Sequence, residues 1–156
     1  MPDEATLKGM ALEYARRMND GDVDRVLELF ADDIVFEDPV GTPPIIGKED
    51  LRRRIAWSME CNVHEVPGRP ATSIDGRWVV VPSTVTVYLP TKLTFHIIGV
   101  MEVGDDGLTR HVQAYWGMTD THVGDGPELT GVAHFMAVTR ELAKMGELAQ
   151  GGASPA

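Results

Sequence analysis

Apolar residues recur every three or four positions in the first part of the chain, a spacing that predicts helices. A first helix is expected from Ala5 to about Met18, with a stripe formed by Leu7, Met10, Ala11, Tyr14, Ala15 and Met18. Asp22 can cap a second helix, whose stripe is Val26, Leu29 and Phe30. A third helix is expected from Lys48 to about Met59.

The period then changes to two, which predicts strands. The expected strands cover residues 34–38, 61–66, 78–89, 93–103 and 108–116. Pro82 interrupts the third of these, so we expect a bulge or an edge position there. Helices followed by a strand meander predict an α+β domain, with helices on one face of a curved antiparallel sheet whose concave face encloses a pocket.

The composition changes after Asp120, and this change suggests a division of the chain. We expect a catalytic domain in residues 1–120, a linker and C-terminal amphipathic helix in residues 121–149, and a disordered tail in residues 150–156. The stripe of that helix is Val132, Phe135, Val138, Leu142 and Met145. The pattern leaves open whether the helix packs on the domain, closes the pocket or joins a dimer.

Charge and cysteine content narrow the class of protein. The formal net charge of -10, from 24 acidic and 14 basic residues, disfavours binding to nucleic acid or to anionic membranes. Cys61 is the single cysteine, so an internal disulfide is impossible, which fits a reducing compartment. The sequence begins without a signal-peptide pattern and contains no apolar run that would span a bilayer. We therefore expect a cytoplasmic protein.

Asp38 is the first candidate for chemistry. On an extended strand it shares a face with Phe36, whereas Glu37 faces the other way. If Phe36 points into the pocket, Asp38 lies at an apolar rim, and apolar surroundings tune a carboxyl group for proton transfer near neutral pH. The structural alternative is that Asp38 only caps the turn that Pro39 begins.

Glu65 and Tyr14 are the other candidates. Glu65 shares a strand face with Val63 and Cys61, so it either points inward as a second carboxylate or points to water from an edge strand. Tyr14 lies on the buried stripe of the first helix, where its hydroxyl either donates into the pocket or satisfies a neighbour.

Strand alternation also predicts the pocket walls. Inward positions include Ile97, Val112 and, by the same parity, Trp116, although a core role is the default for such a tryptophan. Tyr115 then lies on the opposite face, a candidate dimer surface. The five histidines have no metal-ligand spacing, and no phosphate-binding loop is present, so we expect neither a metal nor a cofactor.

The segment from Tyr14 to Gly47, with EDPVGTPP at residues 37–44, and VQAYWG at residues 112–117 resemble the ketosteroid isomerase and SnoaL-like branch of the nuclear-transport-factor-2-like superfamily. This resemblance implies a cone-shaped fold, with Asp38 as general base and Tyr14 as oxyanion donor. The family's second oxyanion donor maps to Gly99, which has no side chain. The resemblance therefore conflicts with steroid isomerisation, because one oxyanion donor contributes about 2.7–4 kcal/mol.

The sequence more closely resembles the epoxide hydrolase/cyclases of polyether ionophore pathways, such as those of monensin, lasalocid and salinomycin. The shared segments are EDPVGTPP, HEVP at residues 64–67, YLP at 88–90 and AYWG at 114–117. The resemblance implies that Asp38 works with Glu65, one as base and the other as acid, with Tyr14 assisting. It also implies dimerisation, with a homologous cyclase as a possible partner.

The resulting hypothesis is a carboxylate-catalysed, epoxide-opening hydrolase/cyclase that forms cyclic ethers from an apolar polyketide-derived substrate. The expected substrate-binding residues are Phe36, Val63, Ile97, Gly99, Val112 and Trp116. Three alternatives stay open: a dehydrative pyran-forming cyclase, a Δ5-3-ketosteroid isomerase with Asp38 as base, and a non-catalytic small-molecule-binding module.

Overall fold

The computed structural model describes residues 2–153 and combines four α-helices with a curved sheet. The helices are α1 (Glu4–Asp20), α2 (Val23–Leu27), α3 (Lys48–Glu60) and α4 (Gly131–Ala153). The strands are β1 (Phe30–Glu37), β2 (Ile45–Ile46), β3 (His64–Pro67), β4 (Ala71–Thr72), β5 (Trp78–Val87), β6 (Leu93–Val103), β7 (Thr109–Tyr115) and β8 (Thr121–Val123). No helix in this part of the chain combines the length and the hydropathy needed to cross a membrane.

The first two helices begin where the polar residues predict, and α1 also ends near the predicted residue, whereas α2 ends earlier than expected, at Leu27. The Asp3 carboxylate accepts the Thr6 N–H at 2.7 Å at the start of α1, and Asp22 accepts the Arg25 N–H at 3.2 Å at the start of α2. Gly21 ends α1 with φ of 75°, in the left-handed region that glycine adopts without a steric penalty. The stripe of α1 is buried through Leu7, Ala11, Ala15 and Met18, as predicted.

The sheet has the order β2-β1-β7-β6-β5-β3, with β4 also pairing with β5 and β8 with β6. Strands β5, β6 and β7 form an antiparallel meander, but β1 joins β7 in parallel. The expectation of a purely antiparallel sheet is therefore corrected at this one pair. The parallel pairing brings the ends of β1 and β7 together, and these two ends carry the candidate residues.

Two strands begin at other residues than the pattern predicts. Phe30 belongs to β1 and not to α2, because the Thr109 N–H bonds to the neighbouring Leu29 carbonyl at 2.9 Å and draws this segment into the sheet. Cys61 lies at the end of α3, where its N–H bonds to the Trp57 carbonyl at 3.0 Å. Strand β3 therefore starts only at His64, and Cys61 does not share its face with Glu65.

Pro82 is accommodated without the expected bulge against β6, because the pairing of β5 with β6 runs through it in continuous register. On its other side Pro82 lies in the gap between β3 and β4, which pair with residues 83–86 and 79–80 of β5 respectively. The Pro82 carbonyl accepts the Gly68 N–H at 2.6 Å in this gap. The position is thus locally an edge, and a missing N–H is tolerated there.

Two apolar clusters form the interior. The first lies between α1, α2, α3 and the sheet, and its largest fully buried members include Phe30, Leu7, Ile34, Leu51 and Ile55. The second consists of Cys61, Val87, Leu93, Phe95 and Met145, with Trp57 and Trp116 packed against it. Met145 belongs to α4, so the C-terminal helix packs on the domain.

Only part of the predicted α4 stripe is buried. Val138 and Met145 are buried, whereas Val132 and Phe135 are 74% and 56% exposed. The buried residues of the helix begin at Ala137, so the apolar residues Val132 and Phe135 of its first turns face solvent although their spacing is helical. The backbone of α4 continues to Ala153, into the segment expected to be a disordered tail, and residues 154–156 of that segment lie outside the described residues.

Candidate active site

A cavity of about 420 Å³ lies between the inner face of the sheet and the helices α1, α3 and α4. A smaller space of about 70 Å³ adjoins it, with shared walls formed by Tyr14, Phe36, Asp38, Glu65, Val85 and Ile97. All three sequence-predicted catalytic residues therefore face the same cavity. An apolar cavity with a few convergent polar groups is the usual form of a small-molecule site.

Asp38 lies directly after β1, where the parallel pairing with β7 sets its position. Glu37 is opposite Gln113 in this pair, and the Val40 N–H bonds to the Ala114 carbonyl at 2.9 Å. The chain after β1 is therefore held against the end of β7. This arrangement brings Asp38 next to Trp116, which is 78 residues away in the sequence.

Asp38 receives two interactions that suit a negatively charged carboxylate. The Trp116 indole N–H donates to its Oδ1 at 2.7 Å, and the Arg54 Nη2 lies 3.6 Å from its Oδ2. Arg54 also donates to the Asp38 carbonyl oxygen at 3.2 Å. These contacts fix the position of the Asp38 carboxylate at the cavity.

Glu65 lies on β3, and its backbone is fixed by a reciprocal pair of hydrogen bonds. The Asn19 amide of α1 accepts the Glu65 N–H at 2.7 Å and donates to the Glu65 carbonyl at 2.8 Å. Burial, and then the negative charge of Asp38, raise the pKa of the Glu65 carboxyl to about 8. Glu65 is therefore mainly protonated at neutral pH, which makes it a proton donor.

Tyr14 reaches the cavity from α1, and its ring packs edge-on against Phe30 with 5.9 Å between centroids. Burial, together with the negative charges of Glu65 and Asp38, raises the pKa of the Tyr14 hydroxyl well above its ordinary value, whereas Arg54 acts in the opposite direction. The hydroxyl therefore stays protonated and can donate a hydrogen bond into the cavity.

The six predicted substrate-binding residues also border this space. Phe36, Val63, Ile97 and Trp116 line the larger cavity, and Phe36, Ile97, Gly99 and Val112 line the smaller one. A Cβ atom at Gly99 would lie 3.5 Å from Val81 Cγ1, which is an ordinary contact distance. Any larger amino acid at this position would therefore reduce the smaller space that Gly99 lines.

The opposite face of the sheet carries a separate pair. The Glu37 carboxylate lies 2.6 Å from His111 Nε2, and this hydrogen bond lowers the pKa of Glu37. Glu37 is therefore a partly buried, paired acid, where the sequence pattern suggested an ordinary solvent-facing one. Tyr115 is 46% exposed on the outward side, as strand alternation predicts.

Sequence reasoning missed several residues that line the cavity, among them Arg54, Trp57, Leu142 and Met145. Arg54 stands in a run of three arginines, which is typical of a solvated helix face. It follows the buried Leu51 by three residues, however, and that spacing could have revealed its inward direction. The guanidinium lies over the Trp57 ring, 4.9 Å from the ring centroid, so the aromatic face fixes the cation beside Asp38.

The groups in the cavity suit proton transfer. A protonated carboxyl group, a carboxylate with hydrogen-bond donors and a neutral phenol face one apolar space. Within residues 2–153, no group of three or more His, Cys, Asp and Glu side chains could hold a metal ion.

The fold and the site together define a small α+β domain whose curved sheet and helices enclose an apolar cavity with acid–base side chains. The family model of the SnoaL-like domain matches residues 11–140, and the chain belongs to this family. The predicted superfamily and fold class, including the additional C-terminal helix, are confirmed.

One similar protein is the epoxide hydrolase LasB of Streptomyces lasalocidi, which is 45% identical over 126 residues. The match covers 78% of this chain and 45% of LasB, so the chain spans less than half of that relative's length. The predicted resemblance to polyether epoxide hydrolase/cyclases is thereby confirmed.

Two solved structures share the fold. SalBIII, described as an epoxide hydrolase/cyclase-like enzyme with a role in pyran ring formation in the polyether salinomycin, matches with a TM-score of 0.75 and 29% identity, over 80% of this chain and 100% of SalBIII. RV0760c from Mycobacterium tuberculosis, in complex with estradiol-17beta-hemisuccinate, matches with a TM-score of 0.71 and 17% identity, over 77% of this chain and 99% of that protein. The second likeness supports the fold alone.

Proposed function

We propose that this protein opens epoxides in a polyketide-derived chain and forms cyclic ethers, as a step of polyether biosynthesis. The observation that carries the proposal is that two carboxyl groups in different electrostatic states, Asp38 and Glu65, face one apolar cavity. The similarity to LasB and SalBIII supports the same activity. Ring formation by epoxide opening needs one proton donor and one proton acceptor, and such a pair can supply both.

Glu65 is the general acid in this mechanism. With a pKa of about 8 it carries a proton at neutral pH, and it delivers this proton to the epoxide oxygen as the carbon–oxygen bond breaks. Protonation of the departing oxygen removes the charge that would otherwise develop in an apolar space. The Tyr14 hydroxyl assists by donating a hydrogen bond to the same oxygen or to a neighbouring one.

Asp38 is the general base. Its carboxylate takes the proton of the attacking hydroxyl group while the hydroxyl oxygen forms the new bond to the epoxide carbon. After one turnover Asp38 holds a proton and Glu65 has lost one, so a proton exchange through water restores the starting state. The substrate and the cyclic ether product contain the same atoms, because cyclisation by this route is an isomerisation.

The cavity walls supply orientation. The apolar side chains of Phe36, Val63, Ile97 and Trp116 would hold a flexible chain so that one hydroxyl group meets one epoxide carbon. Holding the two reacting groups close together removes most of the entropy cost of bringing them together. This cost is a substantial part of the activation barrier in such a reaction.

The test uses a synthetic hydroxy-epoxide with an apolar tail, with the cyclic ether product followed by NMR and mass spectrometry. Asp38→Asn and Glu65→Gln should each lower kcat/KM by about 10²–10⁴-fold, the usual contribution of an acid or base. Glu37→Gln is the matched control, because Glu37 neighbours Asp38 in sequence but pairs with His111 on the other face. Unchanged cyclisation by Asp38→Asn and Glu65→Gln would refute the mechanism.

A pyran-forming cyclisation with loss of water is the second candidate, and the role of SalBIII in pyran ring formation favours a pyran product. In that reaction Glu65 would protonate the departing hydroxyl group of an allylic alcohol, Asp38 would take the proton of the attacking hydroxyl group, and water would leave as the ring closes. An allylic-alcohol substrate distinguishes the two, since its product is lighter by one water molecule. A steroid isomerase is less well supported, because Gly99 provides no side-chain donor for a second oxyanion contact.

We also propose that the protein works in the cytoplasm as a homodimer, with a homologous cyclase as a possible partner. The outward side of the sheet exposes Ile98 and Tyr115, which are 45% and 46% accessible and suit a subunit contact. The free Cys61 fits a reducing compartment. Sedimentation velocity of the wild type and of Tyr115→Glu tests the dimer. The negative charge introduced by Tyr115→Glu should weaken the subunit contact and increase the fraction of monomer.

A further inference from the structure

The second half of α4 forms one wall of the cavity. Leu142, Met145 and Gly146 line the larger space. Met145 is 7% exposed and packs into the cluster that includes Phe95 and Val87, with Trp116 against the same cluster. The helix thus packs on the same cluster as Trp116, whose indole N–H donates to Asp38.

Polar contacts fix this helix at two places. The Glu141 side chain is only 5% exposed, and its carboxylate accepts the Thr91 hydroxyl at 2.5 Å in the loop between β5 and β6. Lys144 and Arg140 each lie 3.2 Å from the same carboxylate, so the buried charge is paired. Nearer the start of the helix, His134 Nε2 lies 2.7 Å from the Met118 carbonyl oxygen.

The wall from α4 lies outside the part of the chain that the family model matches. That match ends at residue 140, before Leu142, Met145 and Gly146, whereas Tyr14, Asp38 and Glu65 all lie within it. The acid–base residues therefore lie within the matched segment, and the three wall residues lie beyond its end, in the second half of α4. An element that changes the shape of a site without supplying acid or base is suited to select substrates.

Gly146 marks the point where the wall leaves room. A Cβ atom built there would meet nothing within 4 Å, although the residue lines the cavity. A side chain at this position would therefore extend into the space that a ligand would occupy. The substitution Gly146→Leu should not unfold α4, because leucine is a better helix former than glycine.

We propose that Leu142, Met145 and Gly146 of α4 determine how long an apolar chain the cavity accepts. Leu142 and Met145 contact the tail of the substrate that lies beyond the reacting hydroxyl and epoxide, and Gly146 leaves the space for its end. The choice of an extended, polyketide-type chain as ligand rests on the proposed function. The selection by length rests on the geometry of the wall.

The first experiment compares hydroxy-epoxides with linear alkyl tails of increasing length. Gly146→Leu should raise the ratio of KM for the longest tail to KM for the shortest tail by about tenfold, because a few misplaced methylene groups in an apolar pocket have effects of this size. Ala143→Leu adds a comparable bulk to the exposed side of the same helix and is the matched control. Equal behaviour of Gly146→Leu and the wild type at every length would overturn the inference.

A second experiment separates this inference from the proposed reaction. Nile red is bound to each protein, and linear primary alcohols of the same series of lengths displace it. Weaker displacement by the long alcohols in Gly146→Leu, but not in Ala143→Leu, supports the wall even if no hydroxy-epoxide is converted. Displacement that does not differ between Gly146→Leu and wild type, or failure of the wild type to bind Nile red, overturns it.

Discussion

Asp38 and Glu65 carry the same functional group, and their neighbours give them different properties. Asp38 accepts a hydrogen bond from Trp116 and lies near Arg54, whereas burial and the charge of Asp38 raise the pKa of Glu65 to about 8. The negative charge of Asp38 therefore helps to keep Glu65 protonated.

The pH dependence of the activity should show the titration of Glu65. We expect kcat/KM for cyclisation to fall as the pH rises above about 8, because the general acid then loses its proton in the free enzyme. The residual activity of Glu65→Gln should lack this decrease, whereas Glu37→Gln should keep it. A profile of Glu65→Gln that falls like that of the wild type would assign the titration to another group.

The hydrogen bond from Trp116 to Asp38 should affect the rate. Trp116→Phe removes the N–H and keeps an aromatic ring next to Phe95, whose centroid lies 4.8 Å from the Trp116 ring. We expect kcat/KM to fall about 10- to 100-fold, since a hydrogen bond to a charged group contributes about 1.5–3 kcal/mol.

Trp78→Phe is the control for that measurement. Trp78 is on β5, outside both cavity linings, and makes the same chemical change possible away from the site. If Trp116→Phe and Trp78→Phe both keep the wild-type rate, the indole hydrogen bond has no role in the reaction.

The direction of a side chain could be predicted from the sequence only where the alternation of residues along a strand determines it. The inward direction of Ile97 and Val112 follows from the period of two, whereas that of Phe36 was only a condition, and the structure places all three at the cavity. The pairing of Trp116 with Asp38 does not follow, because it depends on how β1 and β7 are registered in the sheet. No local pattern contains that information.

Among the elements, α4 differs most from its prediction. Its helical spacing was clear in the sequence, and its packing was left open because an amphipathic stripe fits many surfaces. The buried residues turn out to include Glu141, a charged residue that a hydrophobic pattern assigns to the solvent side. A buried carboxylate bonded to Thr91 indicates a fixed docking position for the helix.

Loss of the Glu141 charge should loosen this helix. In Glu141→Gln, we expect the backbone amides of residues 134–146 to exchange with deuterium about tenfold faster or more, because a charged hydrogen-bond partner is lost. The pKa of Glu141 is lowered by the Thr91 hydroxyl, so in the wild type this contribution is present at neutral pH and is lost as the pH falls below the ordinary value of 4.5.

Hydrogen–deuterium exchange with mass spectrometry measures this effect directly. Glu147→Gln provides the control, because Glu147 is an exposed acid on the same helix. Exchange in α4 that is equally fast in wild type and Glu141→Gln would mean that apolar contacts alone hold the helix.

At the scale of the whole molecule, one buried acid links the site to stability. The unfolded chain loses the Glu65 proton near pH 4.5, but the folded protein retains it to about pH 8. Ionisation therefore favours the unfolded state between these values, and the contribution of Glu65 to stability, complete below about pH 4.5, is lost as the pH rises to about 8.

Unfolding in urea at a series of pH values tests this linkage. The free energy of unfolding of Glu65→Gln should exceed that of the wild type at pH above about 8, by on the order of a few kcal/mol. The difference between the two proteins should shrink as the pH approaches about 5. A difference that does not change with pH would show that Glu65 is ionised in the folded protein at neutral pH.

The fold class itself was predictable, because helices in the first part of the chain and strands in the later part leave few architectures. At Phe30 and Cys61, hydrogen bonds override the local hydrophobic period and cause the boundary errors. Near Phe30 the chain bonds to the distant strand β7, and at Cys61 it bonds to the last turn of α3. The parallel pairing of β1 with β7 joins segments far apart in the sequence, and the hydrophobic pattern alone does not select it.

Asn19 also covers part of one border of the sheet. Strand β3 is the last strand of the sheet order, so its outer backbone groups are open to a strand of a neighbouring molecule. The Asn19 amide occupies the N–H and the carbonyl of Glu65, as a strand from another chain would. The side chain that fixes the acid thus also closes part of this border against self-association and fibril growth.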